Sequence, residues 1–151
     1  MNRRKFIKYI LIGLASAESF LLIKHGISKK SALADGKALF NAGAIAAFKN
    51  GKGYPFLQQK LYLKRMDDGG FMAISLKCTH LGCMVNYDST TQGFVCPCHS
   101  SHFNATGEVL SAPAPRPLDT YPISIEKGEL YVDLGKTQRR NAFDKSQLTY
   151  V

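Results

Sequence analysis

The sequence predicts an all-β domain, a sandwich or small barrel, behind one amino-terminal apolar segment. Three observations lead there. Apolar runs after Gly43 are short and partly alternating. Tight-turn signals such as Asp67-Asp68-Gly69-Gly70 and Lys127-Gly128 separate them. No long helical period appears in the same stretch. With 151 residues, 45% of them hydrophobic and 21% charged, the chain can fill one core but is too short for a second catalytic domain. The same balance excludes a disordered chain.

The amino terminus, MNRRKFIK, leads into an apolar run from Phe6 to Ile23, interrupted by Lys8 and Glu18 and closed by Lys24. As a helix this run reaches about 27 Å, close to the ~30 Å of a hydrocarbon core. Lys8 and Lys24 can snorkel to the two interfaces. Glu18 would have to be protonated, paired or turned toward another helix. The order of basic residues, apolar run and polar continuation is that of an export signal, and Arg3-Arg4-Lys5-Phe6-Ile7-Lys8 resembles a twin-arginine signal, the route for proteins folded before export. Cleavage after Ala15-Ser16-Ala17 would discard the anchor. Residues 1–24 are therefore expected to be an uncleaved signal-anchor, a single transmembrane helix that leaves the head on the extracytoplasmic side. Residues 25–43, rich in Lys, Ser, Ala and Gly, are expected to be a flexible tether with a short helix over Ala34–Phe40. Residues 1–30 hold seven of the 20 basic and one of the 11 acidic residues. The remainder is only weakly basic, which argues against a nucleic-acid surface.

Strands are expected in the domain of residues 44–135 at Phe56–Arg65 and Phe71–Lys77, at Met84–Tyr87 and Phe94–Cys96 around the polar turn Asp88–Gly93, and at Tyr121–Ile125 and Glu129–Leu134. Pro113, Pro115 and Pro117 stiffen a loop and exclude a central strand there. Residues 136–151 are polar and are expected to be a surface tail or docking strip.

All four cysteines and two of the four histidines lie between Cys78 and His99. From the residues alone, three chemistries remain open. A structural zinc site takes Cys and His but leaves two cysteines without a role. A plain disulfide scaffold ignores the histidines. An iron–sulfur cluster of mixed ligation uses both residue types.

Cys78-Thr79-His80-Leu81-Gly82-Cys83, twelve intervening residues, and Cys96-Pro97-Cys98-His99-Ser100-Ser101 closely resemble the two-part motif of the Rieske iron–sulfur proteins. The resemblance runs from about Ile74 to Leu118, and more weakly over Gly43–Leu134. It implies an antiparallel β-sandwich with a small inserted cluster-binding subdomain at about residues 78–117. It implies one 2Fe-2S cluster per chain, with Cys78 and Cys96 on one iron and His80 and His99 on the other. Cys83 and Cys98 would form a disulfide, which needs an oxidising compartment. Replacing two thiolates by neutral imidazoles raises the potential into a range of about −150 to +300 mV. An exposed imidazole can also take a proton as the iron takes an electron. Ser101 stands where family members donate a hydroxyl to a bridging sulfide. Phe103 stands where high-potential members carry a Tyr hydroxyl, so a lower potential and a low-potential quinol such as menaquinol are expected. Ala112-Pro113-Ala114-Pro115 resembles the loop that covers the cluster. Gly82 is expected to serve loop geometry, and His102, Lys77 and Arg116 to be solvated surface residues.

The function implied is that of the redox subunit of a membrane quinol:cytochrome c oxidoreductase of the cytochrome bc type, not catalytic alone. His99 would contact quinol, and the partners would be a cytochrome b-like membrane subunit and a c-type cytochrome. The alternatives are a relay subunit of another exported oxidoreductase, such as an arsenite-oxidase-like molybdenum enzyme, and a zinc-stapled binding module.

Overall fold

A computed structural model describes residues 38–151. The expected signal-anchor and the tether up to residue 37 lie outside the described residues. Among the described residues, no helix is long and apolar enough to cross a membrane. They form β1 (Leu39–Ala44), β2 (Gly53–Phe56), β3 (Leu61–Arg65), β4 (Phe71–Ser75), β5 (Asn86–Asp88), β6 (Gly93–Val95), β7 (His102–Phe103), β8 (Val109–Ser111), β9 (Thr120–Tyr121), β10 (Ile123–Glu126) and β11 (Glu129–Asp133), with three single 3-10 turns. The strands pair antiparallel in three sheets, ordered β1-β11-β10, β2-β3-β4-β9 and β5-β6-β7-β8. The all-β expectation holds for this region.

The middle sheet is covered on both faces. Leu61 and Leu63 of β3 and Phe71 and Ala73 of β4 pack with Leu130 and Val132 of the first sheet. The intervening Tyr62, Met72 and Ile74 pack the other way, with Val85, Phe94, Phe103 and Leu118. Side chains alternate along a strand, so two covered faces bury both sets of side chains. Accordingly, all five residues of β4, FMAIS, are buried. Each fully buried Leu, Ile or Phe contributes about 1.5–3 kcal/mol. The second of these cores also contains Cys78 and Cys96, so the middle sheet is the floor of the cysteine-bearing loops.

Tight turns set the registers. Lys127 (φ 52°) and Gly128 (φ 80°) both have positive φ, as a two-residue hairpin of this hand requires, and they place Glu126 opposite Glu129. Gly93 starts β6 with Phe103 so close that a Cβ would stand 2.3 Å from its carbonyl oxygen. No side chain fits there.

Four expectations are corrected. The tether boundary at Gly43 falls inside β1, and Leu39 and Phe40, assigned to a short helix, are strand residues paired with Asp133 and Val132. Phe40 is fixed by an edge-to-face contact with Phe56, 5.2 Å between ring centres. The single strand over Phe56–Arg65 is broken by the turn Leu57–Gln59 and the left-handed Lys60. The strand over Tyr121–Ile125 divides at Pro122, which has no N–H to give to a ladder: β9 ends on the middle sheet and β10 begins on the first.

The carboxy-terminal segment is not a loose tail. Gln138 exchanges backbone hydrogen bonds with Thr120, and Thr149 does so with Phe71. Leu148 is buried in the second core, and Tyr150 donates its hydroxyl to Asp68 at 3.0 Å. Arg140 is buried, with Nε 2.7 Å from the Leu118 carbonyl, a further bond to the Thr106 carbonyl and one at 3.2 Å to the Gln147 side chain. Charge-assisted bonds of this kind contribute about 1.5–3 kcal/mol each, and their carbonyl partners would be left unpaired by truncation. Arg140→Ala is therefore expected to lower the unfolding free energy by about 3 kcal/mol in urea denaturation. Truncation of the exposed Arg139 should change it by less than about 0.5 kcal/mol.

Candidate metal centre

Two loops, one after the middle sheet and one after the third, share the same backbone pattern. In loop 1, after β4, the Cys78 N–H donates to the Cys83 carbonyl at 2.8 Å and the Gly82 N–H donates to the Cys78 carbonyl at 2.9 Å. In loop 2, after β6, the Cys96 N–H donates to the Ser101 carbonyl and the Ser100 N–H to the Cys96 carbonyl, both at 2.9 Å. Each turn closes through a residue of positive φ, Gly82 at 79° and Ser100 at 55°. For Gly82 that conformation is the reason for glycine; the neighbour a Cβ would meet is the Lys77 side chain. Loop 1 carries Cys78 and His80, and loop 2 carries Cys96 and His99.

Three links tie these loops together and to a third, Ala112–Pro117. Cys83 and Cys98 form a disulfide with their Cα atoms 6.6 Å apart, as the resemblance implied. The Thr79 hydroxyl donates to the Arg116 carbonyl at 2.6 Å. The Ala114 N–H donates to the Ser101 hydroxyl oxygen at 3.0 Å. That bond occupies an acceptor site on Ser101 and leaves the hydroxyl proton to be donated elsewhere. The Arg116 guanidinium is held in turn by Asp119. Thr79 was absent from the sequence expectations because nothing in a lone Thr signals a partner 37 residues away.

The donor side chains on loops 1 and 2 are two thiols and two imidazoles. Cys78 and Cys96 are unbridged and buried. Burial pushes the Cys78 thiol up, the nearby Cys96 thiol adds to this, and the backbone N–H groups of His80 and Leu81 pull the other way. Two thiols placed so closely would repel as thiolates, and a bound metal reverses that balance. His80 Nδ1 is buried with no hydrogen-bond partner. The His80 and His99 rings meet edge to face with centres 4.9 Å apart. His80 is half-buried, whereas His99 is exposed. The Cys83, Cys96 and Cys98 sulfur atoms also lie within 4.8 Å of one another. Two of those three share the disulfide, so that trio is not a ligand set. Cys78 and Cys96, which are unbridged, and His80, whose Nδ1 has no partner, offer a mixed sulfur and nitrogen donor set that suits a metal group. His102 faces solvent on β7 and takes no part.

If this set holds the group, Cys78→Ser, Cys96→Ser, His80→Ala and His99→Ala will each yield protein without iron and inorganic sulfide. His102→Ala will retain both, as elemental and sulfide analysis of purified protein can show.

Comparison with known proteins bears on the same part of the chain. The family described as "Rieske [2Fe-2S] domain" matches residues 39–122. A cytochrome b6-f complex iron-sulfur subunit of Prochlorococcus marinus is 31% identical over 155 aligned positions, covering 87% of this chain and 84% of its own. One from Chlorobaculum tepidum is 37% identical over 84 residues, 56% of this chain and 46% of its own, so the chain spans under half of that relative. A solved plasma membrane Rieske protein from Synechocystis PCC 6803 is 33% identical with a TM-score of 0.49, covering 62% of this chain and 97% of its own. The chain belongs to the Rieske 2Fe-2S family.

Proposed function

We propose that this Rieske-family chain is the electron-transferring subunit of a membrane quinol:cytochrome c oxidoreductase of the cytochrome bc type. Cys78 and Cys96 hold one iron of a 2Fe-2S cluster and His80 and His99 the other. When bound, the cluster supplies one-electron redox chemistry at a potential within about −150 to +300 mV. The observation that carries the reading is the inequality of the two histidines. His80 has a buried nitrogen with no partner, while His99, in ring contact with it, is exposed.

The chain's own residues divide the task. His99 accepts the hydrogen bond of a quinol hydroxyl and holds its proton on the exposed ring. His80 stays under the loops. Ser101, whose oxygen already accepts from the Ala114 N–H, would have its O–H available for a sulfur of the bound cluster. The proline-rich loop keeps water from them: Ala114, Pro117 and Leu118 are buried. The Cys83–Cys98 bridge holds the two ligand loops together where thiols oxidise. Residues 1–24 anchor the head, and the segment leading to β1 tethers it on the extracytoplasmic side. A cytochrome b-like subunit supplies the quinol site, and a c-type cytochrome accepts the electron. The relatives, iron-sulfur subunits of cytochrome b6-f complexes, support this assignment.

Quinol-site inhibitors added to membranes carrying the complex are expected to shift the electron paramagnetic resonance signal of the reduced protein. An unchanged signal, with a molybdenum subunit co-purifying, would identify a relay subunit instead.

Phe103 bears on the choice of quinol. It is buried in the same core as Cys78 and Cys96, and its ring offers no hydroxyl to a ligand sulfur. The missing donor lowers the potential and favours menaquinol. Phe103→Tyr is expected to raise the midpoint potential by tens of millivolts in a redox titration. No rise would contradict the assignment.

A further inference from the structure

β3 presents Tyr62 and Lys64, two residues apart, on the face that meets the third sheet. Tyr62 is 3% exposed, and its ring stacks on that of Tyr87 in β5 with centres 4.7 Å apart. The Tyr62 hydroxyl presses against Gly53 of β2, where a Cβ would stand 2.0 Å from the oxygen, so glycine alone leaves room for it. Burial and the neighbouring Tyr87 hydroxyl push the Tyr62 pKa well above the ordinary tyrosine range, so the group stays a proton donor. Lys64 is half-buried, and its ammonium donates to the Ala105 carbonyl at 3.2 Å in the turn between β7 and β8. Burial lowers the Lys64 pKa, and Asp67 pulls the other way. Neither Lys64 nor the exposed Lys52 has an ion-pair partner among the described residues. Lys52, Gly53, Tyr62 and Lys64 line a cavity of about 210 Å³ together with Tyr87 of β5 and Gln92 of the turn that follows it. No carboxylate lines this cavity.

From this convergence we infer that the seam between the middle and third sheets is a binding site for a phosphate group, carried by inorganic phosphate or by a small monoester. Two ammoniums outside any ion pair call for an anion. The Lys64 ammonium keeps two N–H groups beyond the one given to Ala105. Phenol hydroxyls and the Gln92 amide add donors from the third sheet, and donors on two sides suit a tetrahedral oxyanion better than a two-oxygen carboxylate. The cavity is smaller than the roughly 300 Å³ at which pockets for drug-sized ligands begin, so a nucleotide does not fit. None of the lining residues lies on loop 1, loop 2 or the proline-rich segment. A bound phosphate would instead brace the third sheet, which carries loop 2, against the middle one.

The test dialyses purified full-length holoprotein to equilibrium against phosphorus-32 orthophosphate at low ionic strength. Saturable binding of a single phosphate per chain is expected. Tyr62→Phe removes a hydroxyl and keeps the ring, and Lys52→Gln removes one exposed charge. Each should weaken binding about tenfold, the worth of one hydrogen bond to a charged group. Lys49→Gln removes the same charge from the same turn, outside the cavity, and should bind as the unaltered protein does. Should Tyr62→Phe disturb the core, Lys52→Gln still decides, because its site is exposed. Phosphate should also raise the unfolding temperature of the unaltered protein more than that of Lys52→Gln. Unlabelled glycerol 3-phosphate separates the sources. Displacement as effective as that by unlabelled phosphate supports a monoester ligand, and weaker displacement supports the free ion. Absence of saturable binding would overturn the inference. So would unchanged affinity in Lys52→Gln, or an equal loss in Lys49→Gln, which would mark diffuse surface charge rather than a site.

Discussion

Two buried, unbridged thiols and a buried imidazole nitrogen with no hydrogen-bond partner govern this structure. A buried polar atom without a partner costs about 1–3 kcal/mol, and close thiols resist ionising together. A metal group relieves both at once. The fold's contribution is to hold the donors in place. The disulfide closes a separation of 15 residues, which contributes about 3 kcal/mol on the chain-entropy account. Thr79 and Ser101 then fasten the two ligand loops to the proline-rich segment, each through one hydrogen bond. The enclosure therefore has three walls, each linked to the other two.

The sheets serve that enclosure. The middle sheet is buried on both faces, and its second core runs without interruption from Tyr62 and Ile74 to Cys78 and Cys96. Any shift of β3 against β4 would move the base of loop 1. The carboxy-terminal segment reinforces the floor through Arg140, whose guanidinium joins Leu118 and Thr106 on either side of the proline-rich loop. The two histidines are left unequal: His80 is half-buried with its Nδ1 covered, and His99 is exposed.

Legibility in the sequence followed the range of the interaction that decides each feature. The candidate ligands Cys78, His80, Cys96 and His99 stood out because they lie close together in the chain and their side-chain chemistry is specific. The hairpin at Lys127-Gly128 was visible because its geometry is set by two adjacent residues. The all-β character followed from short periodic runs. What could not be seen depended on partners far along the chain. Leu39 and Phe40 become strand only because β11, some 90 residues later, offers an open edge. The polar segment after Lys136 docks because Arg140 finds carbonyls at Leu118 and Thr106, which polarity alone disguises. Pro122 divides a strand because it carries the chain from one sheet to another, and a proline in a sequence does not say which sheet lies on either side.

The central claim is that two imidazole nitrogens bind one iron and sulfur alone binds the other. Pulsed electron–nuclear double resonance on the reduced holoprotein, with its histidines labelled with nitrogen-15, addresses this most directly. Two strongly coupled labelled nitrogens per spin, both lost in a sample labelled everywhere except histidine, are the predicted result. A reduced centre with no coupled histidine nitrogen, or a purified protein with zinc and no paramagnetic signal at all, would contradict the account.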